Sequence, residues 1–174
     1  AFLLDQGTPG VSYSGPYPVI GEQAPYGVAL DDVVLDDSKV LGEVGGAFIP
    51  LSKRLGVRRM EIAARCVGLA TRCLSMMIEQ AQARKTFGSP LADRQTVQWW
   101  IADSYQEIEM VRLVNYRLAL GMESSADPAA VRRDGSLVKV QATEMLTRVV
   151  DRAIQLFGAM GLSKELPLEY IARL

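Results

Sequence analysis

Residues 57–85, VRRMEIAARCVGLATRCLSMMIEQAQARK, contain no proline, and their apolar side chains recur at Met60, Ala63, Ala64, Val67, Ala70, Leu74 and Met77. Steps of three and four put these positions on one face of an α-helix. The spacing therefore predicts one long amphipathic helix from about Val57 to Lys85, and an element of that length sets the fold class as mainly α. Cys66 and Cys73 fall on it two turns apart, about 10 Å along one face, too far to bridge each other. They read as reduced core thiols, as in a cytosolic protein.

Toward the C-terminus, Phe87-Gly88-Ser89-Pro90 interrupts the helix, because Pro90 pushes Ser89 out of helical geometry and Gly88 permits a turn. A second helix is expected from about Asp93 to Met122, with Trp100, Tyr105, Ile108, Val111, Val114 and Leu118 down one, mostly core, face. Ser124 to Asp127 is a polar break in which Asp127 can cap a new helix and Pro128 can take its first position. Gly135-Ser136 is expected to delay regular helix, with the amphipathic series resuming from Leu137 to Leu156. Gly158 and Gly161 end this third helix, and Leu166-Pro167-Leu168 opens a fourth that is cut at Leu174. Three antiparallel helices and a truncated fourth form an up-down four-helix bundle.

Residues 1–50 are different in kind. Phe2-Leu3-Leu4, Val11-Ser12-Tyr13, Val28-Ala29-Leu30 and Val33-Val34-Leu35 read as short strands separated by Gly, Pro and Asp turns. Too few to make a stable sheet, they are expected to be the last strands of a larger β domain. The expected division is thus 1–50 for the C-terminal part of a middle β domain and 51–174 for the helical bundle. The opening Ala1-Phe2-Leu3-Leu4-Asp5 has neither Met nor a basic leader, so the chain reads as beginning within a longer protein.

Composition excludes several functions. Nineteen Lys+Arg against twenty Asp+Glu leave a net charge of -1 over 174 residues, so no electrostatic bias favours nucleic acid or anionic membrane. No apolar run of about 18 residues suggests a membrane span. The chain has no His, which removes Ser-His-Asp and Cys-His nucleophile systems and any His-ligated metal; no metal site is expected.

Four groups of residues carry candidate chemistry. Arg84, Lys85 and Thr86 offer two cations and a hydroxyl to a phosphate or pyrophosphate, and Phe87 offers a ring for a nucleobase. The residues alone leave open the alternative of a basic helix end that complements the dipole, with Phe87 folded into the core. Gln155 with Gly158-Ala159-Met160-Gly161 could admit a ligand to the backbone or be a plain glycine cap. Arg54, Arg58, Arg59 and Arg65 could receive the phosphates of an acidic substrate or form a solvated face. Glu61 and Asp103 read as surface ion-pair members rather than bases.

Together these pieces resemble the acyl-CoA dehydrogenase family. Arg84-Lys85-Thr86-Phe87-Gly88-Ser89-Pro90-Leu91 with downstream Gln95 is similar to the family's Arg-x-x-Phe-Gly-x-Pro-Leu pattern. Gln155-Leu156-Phe157-Gly158-Ala159-Met160-Gly161, followed by Leu166-Pro167, is similar to its Gln-Ile-x-Gly-Gly-x-Gly, with Ala159 where the second Gly is usual. The resemblance implies an FAD-dependent enzyme that oxidises an acyl-CoA thioester to the trans-2-enoyl-CoA and passes electrons to an electron-transfer flavoprotein. It also implies a homo-oligomer, dimer or tetramer, in the bacterial cytoplasm or the mitochondrial matrix, working in fatty acid metabolism.

Carried over residue by residue, Arg84 and Thr86 meet the FAD pyrophosphate, Phe87 packs on the adenine side and Gln95 contributes from the second helix. Gln155 and the backbone at Gly158 and Ala159 bind the ADP half from the partner subunit. Arg59 matches a family Arg near the bound acyl-CoA. The carboxylate base that removes the α-proton is expected beyond Leu174; where some members carry it on the first bundle helix, this chain has Arg58, which cannot serve. Two other readings remain: a non-catalytic subunit completing a partner's FAD site, and an acyl-CoA oxidase or flavin monooxygenase of the same superfamily.

Overall fold

The computed structural model describes residues 1–21, 24–124 and 127–174. Two compact units divide them, Ala1–Arg54 together with Leu174, and Leu55–Arg173.

In the first unit, β1 (Val11–Ser14) pairs antiparallel with β2 (Gly27–Leu30), Val11 opposite Leu30 and Ser14 opposite Gly27. Phe2 forms a single bridge with Val40. Val33-Val34-Leu35, expected as a strand, pairs with nothing regular among the described residues. The chain has turned at Asp32, φ 45°, and Asp36 then caps a short 3-10 turn at Asp37–Lys39 by accepting from the Ser38 N–H at 2.9 Å.

Helix α1 spans Phe48–Ala83, nine residues earlier at its start than the periodicity suggests. Its first turns carry exposed Phe48, Ile49 and Leu51, so burial periodicity gives no signal there. Pro50 is no obstacle, since the N–H it lacks has no partner in a first turn. Helix α2 spans Gln95–Glu123, after a 3-10 turn at Leu91–Asp93. Helix α3 runs from Pro128 to Phe157, with the Asp127 carboxylate accepting from the Ala129 N–H at 2.9 Å. Of the polar break before it, Ser125 and Ala126 lie outside the described residues. Gly135 does not delay α3: it is buried inside the helix, where a Cβ would meet the Leu118 methyls of α2 at 3.8 and 3.9 Å. The short α4 (Leu168–Ala172) follows a 3-10 turn at Gly158–Leu162.

Side-chain bonds fix the topology. Arg117 binds Asp134, Glu107 binds Arg148, and Ser104 binds Arg152, so numbers fall on α2 as they rise on α3 and the two are antiparallel. Arg59 reaches Ser136 at the start of α3, and Arg84 reaches Phe157 at its end, which makes α1 and α3 parallel. This is the up-down order expected of the bundle. Ala63, Ala70, Cys73 and Met77 of α1, Ile108 of α2, Val138, Ala142, Met145 and Val149 of α3, and Leu168 of α4 close one apolar core. Trp100 and Val114 pack against it, while Trp99 on the adjacent face stays exposed; Tyr105, expected on the core face, is exposed as well, because its position lies to one side of the buried stripe. No described helix is long and apolar enough to cross a membrane, and no described cluster of His, Cys, Asp or Glu is suited to hold a metal ion.

Candidate functional site

At the end of α1 the chain makes a tight hairpin, β3 (Lys85–Thr86) against β4 (Ser89–Pro90), with Thr86 opposite Ser89. Phe87 and Gly88 are its two-residue loop, with φ of 52° and 84°. Positive φ at both central positions defines a type I′ turn. Asn and Gly adopt that conformation cheaply; a phenylalanine there is strained by an amount on the order of 1–3 kcal/mol. Phe87 is also fully exposed, which overturns the alternative in which it folds into the core. A strained aromatic held entirely in solvent does nothing for the packing of the described residues, so its use lies in what else it touches.

The second motif meets the first at this end of the bundle. The Arg84 guanidinium donates to the Phe157 carbonyl at 3.3 Å, and a Cβ on Gly158 would lie 3.7 Å from Arg84 Nη1. Gly158 has φ 64° and ψ −138°, a conformation open only to glycine, and its N–H closes α3 on the Gln155 and Ile154 carbonyls. Gly161 is required for space, because a Cβ there would lie 2.7 Å from the Ile154 carbonyl oxygen. Ala159 does not adopt positive φ; among the described residues only Asp32 and Phe87 do so without being glycine. Its methyl group therefore costs no backbone strain.

Arg84, Phe87, Gln95, Gln155, Gly158 and Ala159 are all exposed, with Thr86 half-buried. One chain thus presents two cations, a hydroxyl, a free aromatic face, two amide side chains and accessible backbone on one end. That donor set suits the ADP half of FAD: guanidinium and ammonium for pyrophosphate, a ring for adenine, amides for polar edges. Beside it, Met76, Glu79, Gln80, Ala83, Phe157 and Leu166 line a shallow depression of about 270 Å³.

Arg59 is elsewhere. Twenty-five residues up α1, about 38 Å along the axis, it donates to Ser136 Oγ at 3.3 Å. Arg58 pairs with Glu61 at 3.0 Å and Asp103 lies 3.9 Å from Arg152, so both acids are ion-pair members, as expected.

One residue escaped the sequence reading. Arg94, just ahead of α2, donates from Nη2 to the Thr86 carbonyl at 2.8 Å and makes no side-chain cap to its own helix. A cation at a helix N-terminus opposes the dipole, and that misfit with Arg94 immediately before Gln95 was the available signal.

The end of the bundle thus brings a guanidinium and a projecting ring together. Residues 48–174 match the family model for the acyl-CoA dehydrogenase C-terminal domain, and the chain belongs to that family. It is 55% identical over 174 residues to (R)-benzylsuccinyl-CoA dehydrogenase of Thauera aromatica, covering all of this chain and 42% of that protein. Butyryl-CoA dehydrogenase of Megasphaera elsdenii superposes with a TM-score of 0.91 at 29% identity, over 99% of this chain and 45% of that one. An FAD complex of PigA superposes at 0.89 with 26% identity, over 98% and 44%. The chain thus spans less than half the length of these relatives.

Proposed function

We propose that this chain is the C-terminal part of an FAD-dependent acyl-CoA dehydrogenase, with residues 1–50 ending a middle β domain and 51–174 forming the bundle. The protein oxidises an acyl-CoA thioester to the trans-2-enoyl-CoA and passes the electrons to an electron-transfer flavoprotein. The observation that carries this is Phe87: a strained, fully exposed ring beside the Arg84–Phe157 hydrogen bond, which needs a ligand to account for it. Held by Arg84, Thr86, Phe87, Gln95, Gln155 and the backbone at Gly158 and Ala159, FAD would supply the two-electron redox chemistry.

The chain's own residues bind and orient. Arg84 and Thr86 hold the pyrophosphate, Phe87 covers the adenine side, Gln95 and Gln155 bond polar edges, and Gly158 and Ala159 bring backbone to the ADP half. Since both motifs lie on one end of one chain, they act together as a half-site completed across a subunit boundary in a homo-oligomer. Arg59 contributes at the substrate, and the carboxylate base is expected beyond Leu174. The protein works in the bacterial cytoplasm or the mitochondrial matrix. The relationship to the Thauera aromatica enzyme makes a benzylsuccinyl-CoA thioester the first substrate to try.

The test is the visible spectrum of the full-length protein under anaerobic conditions, before and after benzylsuccinyl-CoA, butyryl-CoA and longer thioesters. Bleaching of the flavin band by one of them is expected. Purified full-length protein that binds no flavin overturns the proposal, and flavin that never bleaches transfers the role to a non-catalytic subunit.

A further inference from the structure

The β3–β4 hairpin cannot hold its own shape. It has two residues per strand, and a hairpin of that size is unstable in isolation. Pro90, opposite Lys85, occupies a non-hydrogen-bonded position of this ladder, where its missing N–H costs no bond but none is gained either. The turn nevertheless keeps Phe87 in a left-handed conformation with its ring in solvent. So short a ladder needs support from outside.

Two bonds flank it, one continuing the ladder and one from outside it. The Leu91 N–H donates to the Arg84 carbonyl at 2.8 Å and anchors the base of the hairpin. Arg94 donates to the carbonyl of Thr86, the residue immediately before Phe87, at 2.8 Å. Arg94 is itself fixed, because its carbonyl starts α2 by accepting from the Val97 N–H at 2.9 Å and the Gln98 N–H at 3.1 Å. The Gln98 amide meanwhile donates to the Ala92 carbonyl at 2.9 Å, tying down the turn between hairpin and helix. The tip is thus pinned to the rigid first turn of α2 through one guanidinium.

We propose that Arg94 is a positioning residue of the cofactor site, one that acts through the Thr86 carbonyl to hold the Phe87 ring where the adenine half of FAD meets it. This rests on the reading of the hairpin as the ADP-binding face. Arg94 adds nothing to the core, being exposed, and its charge sits at the end of α2 that disfavours it. Its hydrogen bond to the hairpin accounts for that placement.

The test is FAD affinity of the flavin-stripped full-length protein, followed by flavin fluorescence, for F87A, R94A, R94K and F87A/R94A, with FMN as a probe lacking the adenine half. F87A is expected to weaken FAD about 10-fold, within the range for loss of one base–aromatic stack. R94A is expected to weaken it to a similar extent, with FMN affinity unchanged. The double variant should be no weaker than F87A, since a residue acting through Phe87 has nothing further to lose. R94K keeps one donor and should fall between wild type and R94A; it also serves if R94A folds poorly. Full FAD affinity in R94A beside a weakened F87A overturns the role of Arg94 alone. Full affinity in F87A overturns the underlying reading of the hairpin. Additive losses, or equal losses for FMN, also overturn the positioning role, assigning Arg94 to direct contact or to general folding.

Discussion

Phe87 and Cys73 show how far single positions in this bundle depart from ordinary behaviour. Phe87 has φ 52° and a fully exposed ring, so Phe87→Asn replaces a residue strained in that region by one that accepts it. The substitution is expected to hold or raise the melting temperature of the flavin-free protein while weakening FAD retention. A fall in both on thermal denaturation would give the ring a structural role. Cys73 is fully buried, and burial pushes its thiol from an ordinary 9.0 up to about 11, with Cys66 shifted in the same direction. Below pH 9 the thiol is protonated whether the chain is folded or not, and its contribution to stability is fully present. Between pH 9 and 11 the unfolded chain loses a proton that the folded one keeps, so stability falls as pH rises through this window. Denaturant midpoints across it are expected to fall more steeply for wild type than for Cys73→Ala, and parallel slopes would contradict the shift.

Glycines within the elements divide by what surrounds them, and sequence alone does not sort them. Gly135 looks like a break in α3, yet a Cβ there would make ordinary contact with Leu118 at 3.8 Å, whereas at Gly161 it would lie 2.7 Å from the Ile154 carbonyl oxygen. Gly135→Ala is therefore expected to stabilise the bundle by about 0.5–1 kcal/mol through helix propensity. Gly161→Ala is expected to destabilise it by roughly 1–3 kcal/mol, since backbone has to move. Urea unfolding of the two variants reads both signs directly, and a shared sign would refute the distinction. The same contrast explains which elements were legible. Helices α1 to α3 are visible because burying one face imposes a 3.6-residue period on Ala63, Val67, Ala70, Leu74 and Met77. The start of α1 is hidden because Phe48 and Ile49 are exposed. The I′ turn is hidden because nothing local marks Phe87 for positive φ, and the bond that reaches the hairpin from outside comes from Arg94, seven residues on. The two cofactor motifs are readable as motifs, but their meeting through Arg84 and Phe157, 73 residues apart, exists only after folding.

At the scale of the molecule, α2 has a second apolar side that the bundle does not use. Val97, Ile108, Val111 and Leu118 are buried, while Trp99, Met110, Leu113, Tyr116 and Leu120 are between 54% and 65% exposed. On an α-helix these exposed positions form a stripe on the side away from the core. Asp103 and Gln106 separate Trp99 from the rest, but Met110, Leu113, Tyr116 and Leu120 recur at three- and four-residue steps over about three turns, and exposed apolar surface of this kind marks a contact. The homo-oligomer proposed above would need such a contact, and a second copy of the bundle can bury the stripe as one helix face against another. Leu113→Glu with Leu120→Glu places two charges in that contact without touching the buried side of α2. In the full-length protein, light scattering is expected to show a smaller species with the protomer's far-ultraviolet helix signal intact. An unchanged mass would mean that the stripe is covered within the protomer, and the subunit contact would then have to be sought on another face.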